Sequence, residues 1–251
     1  MCTVSWQHDA GGFRVTFNRD ELRTRTRAHS PEKRTTANGT PYLAPLDPDG
    51  GGTWIFLNAH GLCAGLLNTY ADDAPADPPR SRGRLLADLA DARDCGDLAV
   101  RLAHAAVRHR YRPCLVFGID AAGAVFREWT GRGLRTHTPP LPRLLTTSSV
   151  NPARVTAARL ACFRRALRGG DGGTLAEDAV RAFHFSHDPA DPAESPLMVR
   201  GDARTVSVTT VRADADGRGG MEYSEIRDTR PPQPGPVETR ILPLRQPAAH
   251  A

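Results

Sequence analysis

The chain has 251 residues, a formal net charge of +5, and 39% apolar and 6% aromatic residues. That length supports one sizeable core or at most two small ones, and no stretch approaches the ~18 apolar residues a membrane helix needs. Five widely spread cysteines without a Cys-x-x-Cys pair argue against both a disulfide framework and a zinc site.

Lys33 is the only lysine, so nearly all positive charge is arginine, interleaved with aspartate in the manner of a GC-rich, bacterial genome. The densest basic stretch, Arg23 to Arg34, contains no aromatic residue to stack on bases, so no nucleic-acid partner is expected. Free thiols fit a reducing compartment. Residues 1–17 lack a charged start followed by an apolar run, which leads us to expect a cytoplasmic protein.

Val4 to Gln7 and Phe13 to Asn18 alternate around Gly11-Gly12 and predict a hairpin. Residues 27–50, rich in Pro, Gly and Asp, predict a long loop. Thr53 to Asn58 and Leu62 to Asn68 predict a second hairpin, followed by a Pro-rich loop from Ala74 to Arg80. Arg84 to Ala92 and Leu98 to His109 carry leucines at helical spacing. Strands are expected at Cys114 to Ile119 and Ala124 to Trp129, then helices at Arg154 to Leu167 and Leu175 to Phe183 across the Gly169–Gly173 breaker. Thr205 to Val211 and Met221 to Ser224 complete the strands. Residues 1–227 are expected to form one domain and the Pro-rich residues 228–251 a tail, with Thr239 to Leu242 as a possible short edge strand. Strands, helices, helices, strands is the order of a layered α+β sandwich.

Cys2 is the candidate nucleophile. Once Met1 is removed, a thiol (reference pKa about 8.5) and an α-amine (about 7.7–8.0) share one residue, a nucleophile with its own base. The competing reading is a packed strand residue. The predicted hairpin returns Asn18-Arg19-Asp20-Glu21 to the Cys2 end of its partner, where Arg19 and Asp20 would lower the thiol pKa and orient the amine. Glu21 would accept from a backbone amide or pair with Arg19. Asn68 ends an apolar strand and is either an oxyanion donor or a turn residue; for Asn58 the turn reading is preferred. Trp54, Cys63, Cys114 and Cys162 read as core. His184 and His187 have the i, i+3 spacing of a metal pair but lack a third ligand, so a helix end beside Pro189 is preferred.

Cys2 with Asn18-Arg19-Asp20-Glu21 resembles the NRDE family of transport and Golgi organisation 2-like proteins. Gly51-Gly52-Thr53-Trp54, Gly61-Leu62 through Asn68, and Ser81-Arg82-Gly83 are similar to further family motifs, and Met198 to Ser207 more weakly to a late strand. The family is similar in fold to N-terminal-nucleophile hydrolases, which implies a four-layer αββα sandwich and a cysteine that cleaves non-peptide C–N bonds without a cofactor. Under that resemblance Cys2, Arg19, Asp20, Asn68 and Arg204 are the catalytic set. A second oxyanion Asn is expected where Thr147-Ser148-Ser149-Val150 stands, with Asn151 just beyond. Phe56 replaces a small residue and would narrow the pocket. The family's link to haem trafficking and to acyl-coenzyme A or lipid metabolism implies an alternative, a carrier of a hydrophobic ligand in which Cys2 ligates haem iron. The expected partner is a small-molecule amide or hydrophobic ligand.

Overall fold

A computed structural model of the chain describes residues 2–70, 80–108, 111–139, 143–167 and 176–245. Met1, residues 74–79 of the Pro-rich segment, His109, the Gly169–Gly173 breaker and Leu175 lie outside the described residues. Two antiparallel sheets stack face to face. The first has six strands in the order β10-β1-β2-β11-β12-β13. They span Leu144–Thr147 (β10), Cys2–Asp9 (β1), Gly12–Leu22 (β2), Ala203–Asp214 (β11), Arg218–Arg227 (β12) and Gln233–Pro243 (β13). The second has seven strands in sequence order, from β3 to β9. These are His29–Thr35 (β3), Pro41–Leu46 (β4), Ile55–Asn58 (β5), Cys63–Asn68 (β6), Cys114–Asp120 (β7), Gly123–Trp129 (β8) and Leu134–Thr136 (β9).

Between the sheets lie Val4, Trp6, Phe17, Ile55, Leu57, Leu67 and Phe117, all from inward positions of alternating strands. Each such side chain contributes roughly 1.5–3 kcal/mol by leaving water. Helices α1 (Arg82–Asp88) and α2 (Cys95–Arg108) cover the outer face of the seven-stranded sheet. Helices α3 (Pro152–Leu167) and α4 (Glu177–His184) cover the six-stranded one through Phe163 and Phe183. The result is an αββα sandwich.

The hairpin at Gly11-Gly12 forms as expected. Gly12 sits at φ 134°, and a Cβ there would fall 2.0 Å from the Ala213 carbonyl oxygen. Two expectations need correction. Residues 27–50 hold β3 and β4 rather than one loop; β3 is an edge strand with exposed polar residues on both faces, so it lacks the apolar alternation that marks a strand. Residues 228–251 are not all tail, because Gln233–Pro243 pairs along β12. That edge strand is mostly exposed, with only Leu242 buried, and its prolines are tolerated where no ladder bond is needed.

Candidate active site

Cys2 opens β1, an interior strand, with Thr147 of β10 and Arg19 of β2 as its Cα partners. Alternation turns Cys2, Val4 and Trp6 toward the inter-sheet core and Thr3 and Ser5 toward α3 and α4. Cys2, a residue 7% exposed, lines a cleft of about 620 Å³ whose wall also includes Arg19, Asn68, Tyr70 and Ser149. Burial pushes the thiol up. The chain's amino group pulls it down, the Asp20 carboxylate raises it, and the nearby Asp20 backbone N–H lowers it.

The four residues from Asn18 to Glu21 divide between the two faces of β2. Arg19 faces the cleft, lies 4.1 Å over the Trp54 ring and pairs with Glu21 at 3.1 Å and Asp47 at 3.7 Å. Its charge is thus spent on two carboxylates and a ring, and it is not among the main influences on the thiol. Glu21 fills both roles expected of it, accepting from the Leu22 amide as well. Asp20 turns its carboxylate to the other face. There it accepts 2.6 Å from the Thr205 hydroxyl and pairs with Arg159 at 3.2 Å, both side chains fully buried. A bulge between Thr205 and Ser207 shifts the β2–β11 register, which lets Thr205 face Asp20.

Asn68 ends β6, hydrogen-bonds the Tyr70 side chain and lines the cleft. Ser149 also lines it, whereas exposed Asn151 (φ 44°) begins α3 by accepting from the Val155 amide. Phe56 does not narrow the cleft. It is buried under α1 and α2 on the opposite face of its sheet. Asn58 is a turn residue, donating to the Ala90 and Ala92 carbonyls and accepting from the His60 and Leu62 amides.

Arg204 stands apart from the cleft. Its guanidinium reaches across to β12, donating 2.6 Å to the Ile226 carbonyl and 3.2 Å to that of Thr205. The buried cation next to Asp20 is Arg159, which the sequence reading did not single out. Its signal is positional: Arg159 lies four residues from both Val155 and Phe163, on the buried stripe of α3.

His184 and His187 are no metal pair. Asn18 donates through its amide to the His184 and Pro196 carbonyls, so its oxygen accepts from His184 Nδ1–H, and Nε2 accepts from the Ser5 hydroxyl at 2.7 Å. Burial, then the Arg159 charge, pushes His184 down to about 3. The Ser5–His184–Asn18 chain has the order of a hydrolytic triad, yet the space beside Ser5 is about 10 Å³, enough for a water at most. Among the described residues no cluster of His, Cys, Asp and Glu suits a metal.

The expected motifs therefore meet in space: Cys2, Asn18 to Glu21, the Gly52-Thr53-Trp54 turn and Ser81-Arg82-Gly83 all border or support one cleft. Residues 1–117 match the family Transport and Golgi organisation 2. The match bears out the NRDE resemblance and covers the whole cleft wall except Ser149 and the Arg200–Ala203 segment. No curated protein matches the chain. Among solved structures, penicillin V acylase from Agrobacterium tumefaciens is 14% identical with a TM-score of 0.55, covering 90% of this chain and 83% of that one. The Caenorhabditis elegans N-acylethanolamine-hydrolyzing acid amidase ortholog is 12% identical with a TM-score of 0.56, covering 84% and 92%. A mutant of conjugated bile acid hydrolase from Clostridium perfringens is 14% identical with a TM-score of 0.51, covering 100% of both chains. These similarities are of fold, and they agree with the αββα sandwich of the N-terminal-nucleophile-hydrolase type.

Proposed function

We propose that this protein hydrolyses non-peptide amides with Cys2 as nucleophile after removal of Met1. The observation that carries the reading is Cys2 at the start of β1, paired with the Arg19 position of β2 and opening on a cleft shared with Asn68. An acylase, an amidase and a bile acid hydrolase share the fold, and the reading extends that reaction class to this chain.

Burial holds the resting thiol in its neutral form, so a base must act during attack. In the proposed cycle the α-amine takes the thiol proton as sulfur adds to the amide carbonyl. Asn68, assisted by Ser149, donates to the resulting oxyanion. The C–N bond then breaks, the ammonium passes its proton to the leaving amine, and a thioester remains on Cys2. Water, deprotonated by the amine, adds to that thioester, releases the carboxylic acid and restores the thiol. Arg19 and Asp20 act as positioning residues that fix the end of β2 around the sulfur, and Arg204 has no part in the cycle.

Haem ligation by Cys2 fits these residues poorly. It requires a thiolate, whereas burial raises this thiol, and six arginines and the carboxylates of Glu21, Asp47, Asp49 and Asp202 line the cleft.

Intact mass before and after limiting iodoacetamide tests the reading. The expected result is a chain without Met1, labelled at Cys2. Three rivals are disfavoured: Cys63 is pushed well above its usual range, burial takes Cys114 up to about 12, and burial also raises Cys95. A retained Met1, or label spread over the cysteines, overturns it.

A further inference from the structure

One cation of the cleft, Arg82, has no role in the cycle above and no ion pair among the described residues. Gly52 has no side chain because the Gly83 backbone packs against it, 2.1 Å from where a Cβ would sit. The Thr53 amide donates to the Gly83 carbonyl, and the Ser81 hydroxyl accepts from the Gly83 amide. These contacts lock the Ser81-Arg82-Gly83 turn against the Gly52-Thr53-Trp54 turn and fix the backbone from which Arg82 projects.

Four of the other five cleft arginines face acids. Arg19 and Arg25 share Glu21 and Asp47, Arg80 pairs with Asp88, and Arg200 grips Asp202 through two hydrogen bonds. Arg82 is different. Its hydrogen-bond partner is a neutral carbonyl, that of Pro113 at 3.0 Å, and it makes no ion pair among the described residues. Burial, the largest influence, disfavours its charge. Among the described residues no carboxylate touches this half-buried guanidinium, Glu21 acting on it only from a distance, and its planar set of donors suits an anion.

The site lies close to the proposed chemistry. Pro113 also accepts from the Thr69 amide, beside the Asn68–Cys114 strand pair, so Arg82 is pinned next to the end of β6. Tyr70 feels the charge of Arg82 while it hydrogen-bonds Asn68.

We propose, resting on the hydrolase reading, that the substrate is an amide bearing an anionic group, a carboxylate or a phosphate, which docks on Arg82 while the scissile carbonyl meets Cys2. Arg112, which lines the same cleft, adds to the positive field there. The substrate class is thus acidic amides such as N-acyl amino acids, and neutral amides of equal length are discriminated against.

Calorimetric titration of the full chain carrying Cys2→Ala tests this without turnover, with N-decanoylglycine, decyl phosphate and N-decanoylethanolamine as probes. At least tenfold tighter binding of either anion than of the neutral amide is expected, and the tighter anion identifies the group. Adding Arg82→Met is expected to abolish the preference and Arg82→Lys to keep part of it. Equal binding of all three probes, no binding of either anion, or a preference that survives Arg82→Met overturns the proposal. An anion preference together with no hydrolysis of N-decanoylglycine by the Cys2-bearing chain supports the anion site and counts against the hydrolase reading alone.

Discussion

The two helical layers hold their sheets in opposite ways. Under α1 and α2 the contact is apolar: Leu85, Leu86, Leu89, Leu98 and Leu102 pack on Phe56, Ala64 and Val116. Under α3 and α4 the sheet presents Thr3, Ser5, Asn18, Asp20 and Thr205, and the helices answer with Arg159 and His184. Arg159 alone donates to Thr3, Thr146 and Asp20 and to the Glu194 carbonyl. Non-directional packing tolerates small shifts, whereas a buried hydrogen-bonded network accepts few arrangements. The rigid layer lies behind β1 and β2, the two strands that bring the Asp20 amide to the Cys2 sulfur. The difference teaches that one layer supplies mainly stability and the other mainly position.

Breaking the polar layer at its centre should have the largest effect. Arg159→Met leaves the Asp20 charge buried without its partner and should cost about 3–5 kcal/mol in urea unfolding. Adding Asp20→Asn should recover much of that loss; two additive costs would mean the pair is not coupled. In the apolar layer, Leu86→Ala should cost about 3 kcal/mol while leaving Cys2 labelling by iodoacetamide unchanged. An altered labelling rate would contradict the division of roles.

Acid should separate the layers next. His184 is held far below its unfolded value of about 6.5, so the unfolded chain takes up a proton that the native one refuses. The stability due to neutral His184 is complete above about pH 6.5 and is lost as pH falls from there toward about 3. Urea midpoints from pH 7 to pH 4 should show this decline, reduced by His184→Gln and unaffected by Leu86→Ala. The smallest effect is expected from Thr205→Val, about 1–2 kcal/mol for a buried hydrogen bond lost to Asp20. Its sharper readout is the rate of Cys2 labelling, which should change if the network positions the end of β2.

The apolar layer was the legible one. Leucines at helical spacing gave α1 and α2, and alternation gave the first two hairpins, because burying an apolar stripe leaves a period in the sequence. The N-terminal motifs also led to Cys2, Asn68 and the end of β2. The polar layer left no such trace. Arg159 looks like any surface arginine until its neighbours on the helix face are considered, and the direction of Asp20 depends on pairing that only the folded sheet defines. Arg204 shows the reverse: it stands on the expected strand, but its side chain serves the neighbouring strand. The edge strand β3 escaped notice, and only Thr239 to Leu242 of β13 was anticipated, for a physical reason as well, since an exposed edge strand lacks the alternation.

The placement of β1 also has a consequence in time. Its partner on one side lies within the first 22 residues, but on the other Cys2 meets Thr147. At ribosomal speeds of about 5–20 residues per second, the second partner emerges roughly 7–30 s after the first residues. Throughout that interval the start of the chain cannot be enclosed in its sheet, and the enzymes that trim a nascent chain have unobstructed access to it. A nucleophile placed on an interior strand is therefore best unmasked before folding, with sheet closure as the step that ends the opportunity.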